Sequence, residues 1–265
     1  MAEHTTDDGC RLAYEVSGPA TAPMLVLSNS LGTDRTLWDR QIEKLSAHFR
    51  VLRYDSRGHG ASAAPAGDYD LERLGRDVVS LLDAEGVDTA SVCGVSIGGL
   101  TALWLGIHAA DRVDRLVLAN TAARIGSTAL WEERTRAVRD NGLEALAAAT
   151  MTRWFTPAFI DAEPATIARM SAAISHMSPA GYLGCCAALR DADLRAAAAQ
   201  VQSACLVVTG RFDVATPPEA GAWLAATIPG ARLVEFNAGH LSNVECADAF
   251  TEAVLTFLLA ESAHA

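Results

Sequence analysis

Apolar positions in the first 121 residues follow two different periods. Short unbroken runs rich in Val and Leu, at residues 24–28, 50–54, 90–95 and 115–119, predict buried strands, each followed by a loop. Between them, Leu71, Leu74, Val78, Leu81 and Leu82 repeat at helical spacing, as do Leu100, Leu103, Trp104 and Ile107. Strands alternating with crossover helices predict an α/β fold, a mostly parallel central sheet with helices on both faces.

After Asn120 the strand-like runs stop. Leu143, Leu146, Ala147, Thr150, Met151 and Trp154 share a helical face that ends before Pro157. Ile167, Met170, Ile174 and Met177 form a second face, ending before Pro179, and Tyr182, Cys185, Cys186 and Leu189 begin a third. The alanine run at 196–199 also suits a helix. Strand patterning returns at 205–209 and 232–236, and a last helix carries Phe250, Val254, Phe257 and Leu258. The pattern predicts a core built from residues 1–121 and 201–265, interrupted by an all-helical cap at 122–200. A cap over the strand ends would shape a pocket.

With 265 residues, 50% of them apolar, the chain has material for one large core plus an insert, and two unrelated domains would be cramped. Its 32 acidic and 21 basic residues leave a net charge of -11 with no Lys/Arg cluster. Nucleic acid and anionic membrane are therefore poor candidate partners; a small molecule is the expected one, and a homo-oligomer is left open. The first eight residues are acidic where a signal peptide would be basic and then apolar, and no uncharged apolar run has membrane-spanning length, so the expected location is cytoplasmic. Cys10, Cys93, Cys185, Cys186, Cys205 and Cys246 lack C-x-x-C spacing and are expected to be reduced thiols, most of them buried.

The chemical signal is Gly94-Val95-Ser96-Ile97-Gly98, set between a predicted strand and a predicted helix. A serine on that sharp turn projects its hydroxyl from the sheet, and the flanking glycines avoid clashes with the neighbouring strand and helix. Its hydroxyl is a weak nucleophile, so a base must take the proton and an acid must orient that base. Asp213 and His240 each follow a predicted strand, where open α/β sheets place their sites, and they keep the order Ser, acid, His. His59 also follows a strand but precedes the serine; Asp191 and Asp193 are alternative acids. His4, His48, His108, His176 and His264 suit surface or packing roles, although His176 lies where the cap could meet a pocket.

An oxyanion would be received by the backbone N–H groups of Ile97, directly after Ser96, and of Leu31, in the loop after the 24–28 strand. The Leu31 assignment follows from counting back from Trp38 to a loop that commonly begins His-Gly, where Asn29-Ser30 stand here. No cofactor and no metal are needed, and no ligand cluster suggests one.

Several segments together resemble the 3-oxoadipate enol-lactonases of the α/β-hydrolase superfamily. They are Leu27-Ser28-Asn29-Ser30-Leu31-Gly32, Leu37-Trp38, Tyr54-Asp55-Ser56-Arg57-Gly58-His59-Gly60-Ala61-Ser62, the serine elbow with Gly99, and Leu118-Ala119-Asn120-Thr121-Ala122-Ala123-Arg124-Ile125-Gly126. The arginine-glycine turn and the elbow occur across many α/β-hydrolases; the first and last segments are more specific. Where that family typically has Met after the nucleophile, Ile97 stands here, which leaves the backbone donor intact.

The resemblance implies hydrolysis of an anionic enol-lactone to 3-oxoadipate, late in bacterial breakdown of protocatechuate or catechol. A substrate carboxylate would need a local cation to offset the negative chain; Arg124, Arg134, Arg136 and Arg153 are the candidates, with Trp131 and Trp154 as apolar pocket lining. A broader carboxylesterase or a C–C bond hydrolase would share the triad, and an inactive ligand-binding homologue would share the scaffold. A haloalkane dehalogenase is excluded, because its chemistry uses an aspartate where Ser96 stands.

Overall fold

A computed structural model describes residues 1–260. His264 lies outside the described residues. In chain order the first part comprises β1 (Ala2–Thr5), β2 (Arg11–Ser17), β3 (Met24–Ser28), α1 (Asp39–Ser46), β4 (Arg50–Tyr54), α2 (Leu71–Ala84), β5 (Ala90–Val95), α3 (Ile97–His108) and β6 (Val113–Ala119). Five consecutive helices follow: α4 (Thr128–Asn141), α5 (Glu144–Trp154), α6 (Pro157–Ala162), α7 (Pro164–His176) and α8 (Pro179–Asp191). The last part is β7 (Ala204–Gly210), α9 (Pro218–Thr227), β8 (Arg232–Phe236), α10 (Ser242–Glu245) and α11 (Ala247–Leu258). No helix among the described residues is long and apolar enough to cross a membrane.

The eight strands form one sheet in the order β1-β2-β4-β3-β5-β6-β7-β8. From β4 to β8 neighbours run parallel, while the β1–β2 and β2–β4 pairs are antiparallel. The unbroken apolar runs became the central strands: every residue of β3 and β5 is buried, as helices on both faces require. At the edges the pattern thins, and β1 and β8 are largely exposed.

Two expectations shift. β6 begins at Val113, two residues before the run that marked it: Asp114 breaks the apolar pattern, and the pairing with β5 is irregular there, passing from Ala90 opposite Val113 to Val92 opposite Leu116. The alanine run at 196–199 gives only a short 3-10 turn at Ala198–Gln200, with Ala198 buried against the core; intrinsic propensity yields here to the chain's path into β7.

Prolines organise the five-helix insert. Pro157, Pro164 and Pro179 each open a helix, where the missing N–H is no loss and the fixed φ suits the first turn. Thr156 and Ser178 cap two of these starts through their side-chain oxygens. The ends of the insert are tied together, Leu194 N–H donating to Ala123 O at 2.8 Å.

Packing against the core is close. A Cβ on Gly58 would lie 2.3 Å from Gly181 Cα, and one on Gly181 would lie 2.2 Å from Gly58 Cα, so α8 rests backbone to backbone on the turn after β4. That turn is held from beneath by Arg57, whose guanidinium meets Asp77 at 2.6 and 2.7 Å and Asp8 at 2.9 Å.

Candidate active site

Ser96 stands between β5 and α3 with φ 60° and ψ −121°, a strained conformation for a residue with a side chain. Its surroundings over-determine that turn. Its N–H donates to Ala119 O at 3.0 Å, and its carbonyl accepts from Leu100 N–H at 2.9 Å and Thr121 Oγ1 at 2.7 Å. A Cβ on Gly94 would lie 2.1 Å from Gly98 O, and one on Gly98 would lie 2.3 Å from Ser28 O. Both glycines are thus required by close backbone approach.

Asp213 and His240 are buried beside one another, with Nδ1–H of the imidazole donating to Asp213 Oδ2 at 2.8 Å. The acid is richly supplied with donors. Oδ1 accepts the backbone N–H groups of Ala215 at 2.8 Å and Thr216 at 2.9 Å; Oδ2 also accepts Thr216 Oγ1 at 2.7 Å and Asn120 Nδ2 at 3.1 Å. Burial alone would raise the carboxyl pKa, but the charge of His240 and the hydrogen bonds from His240 and Thr216 outweigh it, and the acid sits below its ordinary value. Asp213 is therefore held as an anion against His240 Nδ1–H, and His240 Nε2 has no protein partner among the described residues.

Ser96 and His240 open into one pocket, which also receives Leu31, Trp131, Trp154, Arg134 and Arg153. Leu31 comes from the turn after β3. The next two amides of that turn are committed, Gly32 N–H to His59 Nε2 at 3.0 Å and Thr33 N–H to Ser30 O at 3.1 Å, whereas that of Leu31 has no protein partner among the described residues. Ile97 is the first residue of α3, where a helix leaves its N–H groups unpaired and its dipole favours negative charge. Asn29, which replaces the usual histidine of this loop, fastens it: its Nδ2 donates to Tyr54 O at 2.6 Å and its Oδ1 accepts Trp38 Nε1 at 2.9 Å.

The cations sort themselves by position. Arg134 reaches the pocket with Tyr182 Oη at 3.3 Å as its polar partner, and Arg153 lines the same space; neither has an acidic partner among the described residues. Arg124 is instead paired with Asp193 at 3.2 Å, and Arg136 is exposed on α4 beside Glu132 and Arg190, away from Ser96. Trp131 is fixed by its indole N–H on Ile125 O at 2.7 Å. His176 is exposed on the side of Gly32 and Met177, outside the Ser96 pocket.

The competing residues have other partners. His59 is buried with both ring nitrogens engaged, to Gly32 N–H and Arg57 O. Asp191 is held by Arg190 and Asp193 by Arg195 and Arg124. His48 and His108 are exposed, and His4 bonds Ser80 Oγ at 2.7 Å. Among the described residues no group of His, Cys, Asp and Glu could hold a metal ion.

Three polar neighbours of Asp213 and His240 are not singled out as site residues by the sequence. Asn120 and Thr216 bond the acid, and Glu245 accepts Gly239 N–H at 2.9 Å beside the histidine while binding the Thr156 hydroxyl of the insert. The sequence signals for Asn120 are its place directly after a strand run, at the carboxyl end of the sheet, and its membership of the segment 118–126.

A family profile described as alpha/beta hydrolase fold matches residues 23–246. The chain is 41% identical over 243 residues to 3-oxoadipate enol-lactonase 2 of Acinetobacter baylyi, covering 92% of this chain and 91% of that one. It is 39% identical over 249 residues to 3-oxoadipate enol-lactonase 1 of the same organism, covering 94% and 93%. The crystal structure of the enol-lactonase from Burkholderia xenovorans LB400 superposes with a TM-score of 0.96 at 45% identity, covering 98% of this chain and 100% of that one.

Proposed function

The chain belongs to the α/β-hydrolase family, and on that footing we propose that it hydrolyses 3-oxoadipate enol-lactone to 3-oxoadipate through an acyl-enzyme on Ser96. The observation that carries the substrate assignment is the pocket itself. In a chain of net charge -11, Arg134 and Arg153, without acidic partners among the described residues, face the same space as Ser96 and His240. A lactone bearing a carboxylate fits that distribution, since unpaired guanidinium groups bind carboxylates well and Trp131 and Trp154 supply apolar walls for the ring.

In the proposed reaction Ser96 Oγ attacks the lactone carbonyl while His240 Nε2 takes its proton. The amides of Leu31 and Ile97 receive the oxyanion. Collapse breaks the ring C–O bond as His240 passes its proton to the leaving oxygen, and the enol so formed stays tethered to the acyl group and tautomerises to the ketone, so ring opening is not readily reversed. Water, deprotonated by His240, then attacks the acyl-enzyme, releasing 3-oxoadipate and restoring Ser96. No cofactor enters. This is a late step in the breakdown of protocatechuate or catechol, and a cytoplasmic place for it is supported by the buried free thiols Cys10, Cys93, Cys185, Cys186 and Cys205.

The test is loss of enol-lactone ultraviolet absorbance on adding purified protein, beside a p-nitrophenyl ester. Rapid lactone loss that disappears in Ser96→Ala is the expected result. Ester cleavage without lactone loss would retain the serine mechanism and discard the substrate.

A further inference from the structure

Asn120 follows β6 in the left-handed region, at φ 44°, although it is not glycine. It is 1% exposed. Its Nδ2 donates to Asp213 Oδ2 at 3.1 Å and to Gly239 O at 3.2 Å, while its Oδ1 has no protein partner among the described residues. The amide orientation is forced: turned over, its oxygen would face a carboxylate and a carbonyl, two acceptors with no proton between them. A strained backbone and a buried carboxamide that spends both hydrogens on two catalytic loops form a costly arrangement of the kind found at functional sites.

We propose that Asn120 is a positioning residue of the catalytic apparatus, its carboxamide holding the loop that carries the acid in register with the loop that carries the histidine. Asp213 arrives from β7 and His240 from β8, and neither strand pairs with β5, whose end carries Ser96. β6 lies between β5 and β7 and is the natural reference for both sides. From its end, Asn120 N–H donates to Val208 O at 2.8 Å and the Asn120 side chain reaches the acid and the Gly239 carbonyl; the adjacent Thr121 hydroxyl holds the Ser96 carbonyl. Two consecutive residues thus set the nucleophile against its base.

The Asn120 amide also shares Asp213 Oδ2 with His240 Nδ1–H. Removing that donor leaves more of the oxygen's charge to the imidazole, which favours the imidazolium, so the acid limb of the rate profile moves to higher pH. Other charged groups turned toward the pair's surroundings are Arg134 on α4 and Arg153 on α5 in the pocket, and Glu245 on α10 at the Gly239 amide; the substitutions below leave all three in place.

This inference rests on the serine-hydrolase reading but not on the lactone. The informative variant is Asn120→Gly, which accepts the positive φ and lacks the carboxamide; Asn120→Ala lacks both. The readouts are the rate at which a fluorophosphonate probe labels Ser96 across pH 5.5–9, and kcat/KM on the enol-lactone, with melting temperature as the folding control. Asn120→Gly is expected to label about ten- to a hundredfold more slowly, the scale of a lost hydrogen bond to a charged group, with its acid limb displaced upward. A glycine variant that labels at the wild-type rate, or more slowly with an unmoved acid limb, overturns the proposal and leaves Asn120 a backbone role only. Wild-type protein that labels but does not open the lactone counts against the substrate and leaves this test intact.

Discussion

The Nε2 atom of His59 accepts the backbone N–H of Gly32 at 3.0 Å, so a histidine from the turn after β4 holds the turn that presents Leu31 to the pocket. An amide is only a donor, which fixes the tautomer: Nδ1 carries the proton and gives it to Arg57 O at 3.1 Å. The ring is therefore neutral in the folded protein. Burial pushes its pKa below the ordinary 6.5, outweighing the Arg57 carbonyl and the Asp55 charge that favour the imidazolium.

A pH dependence of stability follows. Above pH 6.5 His59 is neutral in both folded and unfolded chains and its contribution is complete. As pH falls below 6.5, the unfolded chain takes a proton that the folded ring refuses, and stability is lost down to the folded-state pKa. Melting temperature measured from pH 7.5 to 5 should fall less steeply in His59→Gln, whose side chain can accept the Gly32 amide without titrating; equal slopes would remove His59 from the account.

Ser96→Ala should lower kcat on the enol-lactone by at least about a thousandfold with little change in melting temperature, because the hydroxyl supplies chemistry and no packing. Asp213→Asn should cost about 10³- to 10⁴-fold, since an amide cannot hold His240 in the tautomer its 2.8 Å bond now selects. Steady-state kinetics and calorimetry on the same preparations check both.

Arg134→Gln and Arg153→Gln distinguish carboxylate recognition from general catalysis. The arginine that meets the substrate anion should raise KM for the enol-lactone by about ten- to a hundredfold when replaced, the value of a hydrogen bond to a charged group. Cleavage of neutral p-nitrophenyl acetate should hardly change. If both variants bind the lactone as wild type does, the anion is recognised elsewhere.

Gly98→Ala should destabilise the fold, not merely slow it. The added Cβ would fall 2.3 Å from Ser28 O, a backbone atom that cannot step aside without moving β3. A cost of about 1–3 kcal/mol, or a melting temperature lower by roughly 2–12 °C, is expected from thermal unfolding.

Much of this was legible in the chain. Residues 24–28 and 90–95 announce central strands because burial on both faces demands unbroken apolar runs, and Ser96, Asp213 and His240 are legible because each follows a strand-like segment, though the one before His240 is an exposed edge strand with charged residues in it. β1 was not, since an exposed edge strand of Ala, Glu, His and Thr carries no apolar pattern. The contacts of Asn120, Thr216 and Glu245 were silent for another reason. Polar side chains with distant partners, such as Asn120 with Asp213 at a separation of 93 positions, leave no periodic trace. Among the arginines, type and region were readable but direction was not, and Arg124 turned to Asp193 while Arg134 turned to the pocket.

The contact between Gly58 and Gly181 has a consequence for how the molecule can change over generations. Each position excludes a side chain because of the other's backbone, so a substitution at one cannot be rescued by shrinking its neighbour, which is already as small as a residue can be. The place where the helical insert meets the core is therefore closed to gradual drift. Diversification of the pocket is left to side chains that face it, such as Leu130, Arg134, Thr150 and Arg153 on α4 and α5 and Tyr182 and Leu189 on α8, while the backbone of α8 at Gly181 stays as inherited footing.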